Sequence, residues 1–194
     1  MTTVYFIRHA QSDHLSRDDA TRPLTDVGLA DTAKVTEVLK DKGITHIISS
    51  PHMRALQTIS GLAQALTLQV EVVGDFRERV VGEWIPDHFY GFVKRQWYDP
   101  TYRNEGGESL SEVQIRCASA LREAIKQHKN ETIAIATHGT ALATILNRFN
   151  PDFGYADVMK MINYMPYIVR MEFESPSKCV SKEDILIIER RYER

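Results

Sequence analysis

Short apolar runs alternate with longer stretches of helical period along most of this chain. Residues 4–7 form a continuous apolar run of strand length. Residues 25–43 follow with Val27, Ala30, Val35, Val38 and Leu39 near helical spacing, Thr25 or Asp26 as cap and Gly43 as the stop. Residues 45–50 read as a second strand. Residues 52–66 carry Met53, Leu56, Leu62, Ala63 and Leu66 at helical intervals, and residues 69–74 read as a short strand. A second long helix is predicted from Ser109, where Leu110, Val113, Leu121, Ala124 and Ile125 make an apolar stripe and Ser109 with Glu112 forms a capping box. The run at 132–137 is the clearest buried strand, and a helix follows it at once over 138–149. Two strands, 167–175 and 185–193, close the chain, separated by a polar loop.

Strand and helix in alternation predict an α/β fold: a three-layer sandwich with a mostly parallel central sheet and helices on both faces. Residues 74–108 break the alternation. They are rich in aromatics, Pro and Gly, hold room for one short helix near 88–97, and are expected to form a lid inserted in a single domain spanning 1–194.

Composition narrows the setting. With 194 residues and 43% hydrophobic content the chain can bury a full core. The 24 Lys and Arg against 26 Asp and Glu give a net charge of -2, so no overall positive field recruits nucleic acid or an anionic membrane. The apolar run before Arg8 is too short for a secretory leader, and no later run approaches a membrane span. Cys117 and Cys179 show no paired spacing for a disulfide framework or zinc site, which suits the cytoplasm. Oligomeric state stays open, a homodimer being one outcome.

Three polar clusters sit at the carboxyl ends of predicted strands: Arg8 with His9, Ser50 through Arg54, and Thr137-His138-Gly139. That edge of an open α/β sheet is where ligands bind. If the three strands are adjacent and parallel, Arg8, His9, Arg54 and His138 converge beside helix N-termini on one pocket with two permanent positive charges. Such a pocket suits a dianion, and a phosphoryl group fits best, because guanidinium forks pair bidentately with its oxygens.

The motifs FIRHAQS, PLTDVGLADT, ISSPHMRALQT, DFRERVVGEW, GGESL and ATHGTAL, running in this order to about residue 148, resemble those of the histidine phosphatase superfamily in its phosphoglycerate mutase-like branch. The resemblance implies that His9 is a nucleophile forming a phosphohistidine, that Arg8, Arg54 and His138 bind the phosphoryl group, and that Glu78 donates and accepts the proton. Ser12 and Gly139, within the same motifs, join the phosphate-binding set. The implied reaction is metal-independent hydrolysis of a small phosphorylated metabolite, without cofactor, with mutase-type phosphotransfer or turnover-free binding of a phosphorylated ligand as alternatives.

The chain departs from the family pattern at Ala10, where Gly is usual, and at Leu15, where many members have asparagine. It departs again at residues 84–92, where Trp-Glu-Gly is usual after the acidic residue. Glu83 is the alternative to Glu78 as proton donor. Asp13 and His14 beside His9 match no standard metal spacing, and two arginines would repel a cation there. The aromatics Phe89, Tyr90, Phe92, Trp97, Tyr98 and Tyr102 either line the pocket or form a satellite core. Arg79, Lys94, Arg95 and Arg103 either meet a second anionic group or remain solvated.

Overall fold

The computed structural model of the chain describes residues 1–83 and 89–191. The elements run β1 (Thr2–Arg8), α1 (Asp26–Leu39), β2 (His46–Ser49), α2 (Met53–Leu66), β3 (Val70–Val72), a 3-10 turn (Gly74–Phe76), α3 (Phe89–Tyr98), α4 (Leu110–Gln127), β4 (Thr132–Thr137), α5 (Gly139–Phe149), α6 (Tyr155–Met161), β5 (Tyr164–Ser175) and β6 (Lys178–Glu189). Thr25 caps α1, its hydroxyl accepting from the Gly28 N–H, and the Ser109–Glu112 capping box starts α4.

The strands form one six-stranded sheet in the order β3-β2-β4-β1-β5-β6. β4 inserts between β1 and β2, parallel to both, and β3 runs parallel to β2. Alternation along each strand sorts side chains to two faces. Val4, Phe6, Ile48, Ile133 and Ile135 pack with α4 and α5, whereas Tyr5, Ile7, Ile47, Ala134 and Ala136 pack with α1 and α2. Because both faces are covered, the strands are nearly continuous apolar runs.

Several expectations require correction. The sheet is mixed, because β5 pairs antiparallel with β1 and β6 antiparallel with β5. The last strand starts at Lys178 and ends at Glu189, and the loop expected before it is the two-residue turn Pro176–Ser177, with Ser175 paired to Lys178. β6 is an edge strand in which exposed and half-buried positions alternate over 178–182 and the charged residues 182–184 are all exposed, and an edge tolerates charges that an interior strand excludes. Helix α6 is two turns long, too short to stand out by period.

Within the segment expected as a lid, residues 84–88 lie outside the described residues. Trp97 packs on Phe153 and the larger core cluster, and Phe92 on Tyr102, whereas Tyr90 and Tyr98 are exposed. Of the cations there, Arg95 stacks on Tyr102, Arg103 pairs with Glu112, and Arg79 is buried against Gln96 and the Phe92 ring.

Candidate active site

Strand register brings the three polar clusters to one edge. Arg8 pairs with Thr137 across β1 and β4, and Ser49 with Ala136 across β2 and β4. The ladder continues one residue past each strand, His9 N–H donating to Thr137 O (3.1 Å) and Ser50 N–H to Ala136 O (2.9 Å). His9, Ser50 and His138 therefore leave the sheet side by side, and the His9 and His138 rings lie 5.2 Å apart.

His9 is 6% exposed, and its Nδ1 lies 2.7 Å from the Ala10 carbonyl oxygen. A carbonyl only accepts, so Nδ1 carries the hydrogen and the neutral ring keeps a lone pair on Nε2. Burial, then the charges of Arg54, Arg8 and Arg22, hold this imidazole well below its ordinary pKa. The Thr58 hydroxyl accepts from the Ala10 N–H and fixes the turn.

His138 caps α5 and is fully buried. Its Nε2 lies 2.7 Å from the Ser50 hydroxyl, and its Nδ1 has no hydrogen-bond partner among the described residues. Burial first, and then Arg54, His9, His52 and Arg8, push its pKa well down.

Arg54, in the first turn of α2, is 2% exposed. It donates to the Asp19 carbonyl and lies 3.2 Å from the Asp19 carboxylate. The same carboxylate lies 3.4 Å from His52 Nδ1 and 3.6 Å from Arg22. Arg8 donates to the carbonyls of Met161 and Ile162 at the end of α6, and a Cβ on Gly139 would come within 3.2 Å of its guanidinium. Arg8, Arg54 and both histidines thus converge as the sequence predicts, with Gly139 packed on Arg8.

Glu78 reaches the first turn of α5, where one carboxylate oxygen accepts from the Thr140 N–H (3.0 Å) and the other from the Arg79 N–H (2.7 Å). Its segment is clamped: the Thr137 hydroxyl donates to Phe76 O, and Arg116 of α4 donates to the carbonyls of Asp75, Arg77 and Glu78 while pairing with Glu108. Ser12 is buried, in a bridge with Leu24 that closes the loop after β1, and Leu15 is 78% exposed. Sequence reasoning missed Asp19 and Arg116, and it gave His52, inside the Ser50–Arg54 cluster, no role of its own. No hydrophobic period marks a surface aspartate or a clamp arginine, and only the spacing of His52 from Arg54 hinted at a shared pocket. Asp13 and His14 join no potential metal-binding group among the described residues.

The family model of the histidine phosphatase superfamily (branch 1) matches residues 4–177. The chain belongs to this superfamily. Among curated relatives of this chain, the probable phosphoglycerate mutase GpmB of Proteus mirabilis is 30% identical over 159 residues, covering 76% of this chain and 74% of that one. Phosphoglycerate mutase-like protein 4 of Arabidopsis thaliana is 29% identical over 159 residues, covering 76% and 68%. Among solved structures, a phosphoserine phosphatase variant from Entamoeba histolytica in complex with phosphoserine aligns with a TM-score of 0.79 at 21% identity, covering 95% and 97% of the two chains. A mycobacterial glucosyl-3-phosphoglycerate phosphatase aligns at 0.77 with 20% identity, covering 95% and 97%. These likenesses establish that the chain shares their fold.

Proposed function

We propose that this member of the histidine phosphatase superfamily hydrolyses phosphomonoesters of small metabolites, without metal, through a phosphohistidine on His9. The observation that carries this reading is the state of His9: a buried neutral imidazole, its hydrogen committed to the Ala10 carbonyl, flanked by the charges of Arg54 and Arg8. Neutrality leaves the Nε2 lone pair available to attack phosphorus.

In the first step Nε2 forms the bond to phosphorus as the ester oxygen leaves, and the Glu78 carboxyl group donates a proton to that oxygen. In the second, Glu78 takes a proton from water as the water oxygen displaces Nε2, releasing inorganic phosphate. Arg54, Arg8, His138 and the backbone at Gly139 stabilise charge on the equatorial oxygens. Two guanidinium groups and the α5 N-terminus supply the positive charge that many phosphoryl-transfer enzymes draw from metal. Arg54 reaches that role by exchanging the Asp19 carboxylate for the substrate dianion.

A mutase-type phosphotransferase is the second reading, favoured by the names of the curated relatives. The phosphatase names of the structural neighbours favour hydrolysis. Phosphoenzyme lifetime separates the two, since a mutase must shield its phosphohistidine from water.

The test is a screen of phosphorylated metabolites with EDTA present, followed by rapid quench on the best substrate. Phosphate release should survive chelation, the acid-labile phosphoenzyme should decay in water without an acceptor, and His9→Ala should abolish both while melting like the parent. Undiminished release from folded His9→Ala protein overturns the nucleophile, and loss of activity on chelation restored by a divalent ion overturns the metal-free mechanism.

A further inference from the structure

At the opposite end of the same strands, His46, His128 and Glu131 meet. His46 opens β2, His128 caps the C-terminus of α4, and Glu131 immediately precedes β4. One donor atom from each lies within 4.8 Å of the other two, the His46 and His128 ring centroids are 3.9 Å apart, and His46 Nδ1 is 2.8 Å from a Glu131 carboxylate oxygen. His128 Nε2 is buried and has no hydrogen-bond partner among the described residues. We propose that this cluster is a binding site for a divalent transition-metal ion of the zinc class, tying β2, β4 and the end of α4 together.

Two imidazoles and one carboxylate form a donor set that zinc takes with water in the fourth position, whereas magnesium and calcium prefer oxygen ligands alone. The ligands sit on rigid supports. The chain turns back on itself between His128 and Glu131 through Asn130 in the left-handed region (φ 66°), and the Glu131 N–H donates to His128 O. The Thr45 hydroxyl donates to Glu131 Oε2 at 2.8 Å, the kind of outer contact that orients a ligating carboxylate. Zinc bonds of 2.0–2.1 Å place tetrahedral donors about 3.3 Å apart. The cluster therefore has to contract by roughly 1.5 Å, within the rotamer reach of His46 and Glu131, whose side chains are 44% and 36% exposed.

From Thr132 to Thr137 the length of β4 separates this site from His9 and His138 by roughly 17 Å. A metal here stabilises the fold and takes no part in phosphoryl transfer, so the inference does not rest on the proposed activity.

The test is calorimetric titration of chelator-stripped protein with zinc sulfate, and with magnesium for comparison, alongside melting curves. His46→Ala and Glu131→Gln alter half-exposed side chains and should fold like the parent. His9→Ala controls for zinc taken by the buried active-site histidines. Expected are one zinc per chain, weakening of at least about tenfold in both cluster variants, unchanged affinity in His9→Ala, and a zinc-dependent rise in melting temperature that both cluster variants lose. The proposal is overturned if zinc does not bind, if it binds no better than magnesium, or if the binding survives both cluster substitutions.

Discussion

Asp19 illustrates how one side chain can set the resting state of a pocket. Its carboxylate sits 3.2 Å from Arg54, 3.6 Å from Arg22 and 3.4 Å from His52, so it satisfies the cations that a phosphoryl dianion would otherwise claim. Arg54 is buried to 2% exposure, and an arginine there without a counter-charge would carry a desolvation penalty. Asp19 itself is about half exposed, which lets it withdraw when a stronger anion arrives. Asp19→Asn keeps the shape and removes the charge. Inorganic phosphate, measured as a competitive inhibitor, should then bind about two- to fivefold more tightly, the range expected for one partly solvated ion pair. Weaker binding in the variant would instead make Asp19 a residue that positions Arg54 for the phosphate. Arg54 stands out in the sequence just past a strand end, but Asp19 does not, because the pairing spans thirty-five residues and follows no period.

Elements decide where these residues point. The helix α5 starts one residue past His138, presents the Thr140 N–H to Glu78, and lays Gly139 on the Arg8 guanidinium. Arg8 cannot yield easily, since both terminal nitrogens are held by the Met161 and Ile162 carbonyls. A Cβ at Gly139 would press on it at 3.2–3.3 Å. Gly139→Ala should therefore lower kcat/KM about tenfold while the melting temperature stays near that of the parent, since small displacements at a phosphoryl site are costly. Unchanged kcat/KM would show that Arg8 is not poised at the transferred group. The elements themselves were legible where burial was two-sided: residues 4–7, 45–50 and 132–137 read as strands because both faces are covered by helices. Legibility failed in the first half of β6 and at α6. The former, residues 178–184, is a polar stretch of an edge strand that looks like a loop, and the latter is shorter than the window in which helical period emerges. The clamp by Arg116 was hidden for another reason: its targets are main-chain carbonyls, which no sequence pattern marks.

At the scale of the molecule, the sheet order places three strand ends together, and the convergence of His9 and His138 was legible once those strands were taken as parallel neighbours. The same convergence leaves two buried imidazoles among arginines, and that has a consequence for stability. Burial, followed by the charges of Arg54 and Arg8 for His9 and of Arg54 and neighbouring histidines for His138, depresses both folded-state pKa values well below 6.5. The unfolded chain takes up these protons near pH 6.5, while the folded protein does not. Stability is therefore highest above that point and falls as pH drops through it, by about 1.4 kcal/mol per pH unit for each ring that stays neutral. Carboxylates with lowered pKa, such as Glu108, act in a lower window, since their unfolded values lie near 4. Urea denaturation should show stability nearly level between about pH 7.5 and 7, then declining by about 2 to 3 kcal/mol from pH 6.5 to 5.5. His52 and His128, whose pKa values burial also lowers, add smaller contributions in the same window, so His138→Asn, which removes one deeply buried titrating ring, should reduce the slope by roughly 1 kcal/mol per pH unit whatever its cost at neutral pH. A parent slope of zero, or an unaltered slope in the variant, would mean that the buried rings accept protons in place, and the neutral nucleophile on which the proposed chemistry depends would be lost with it.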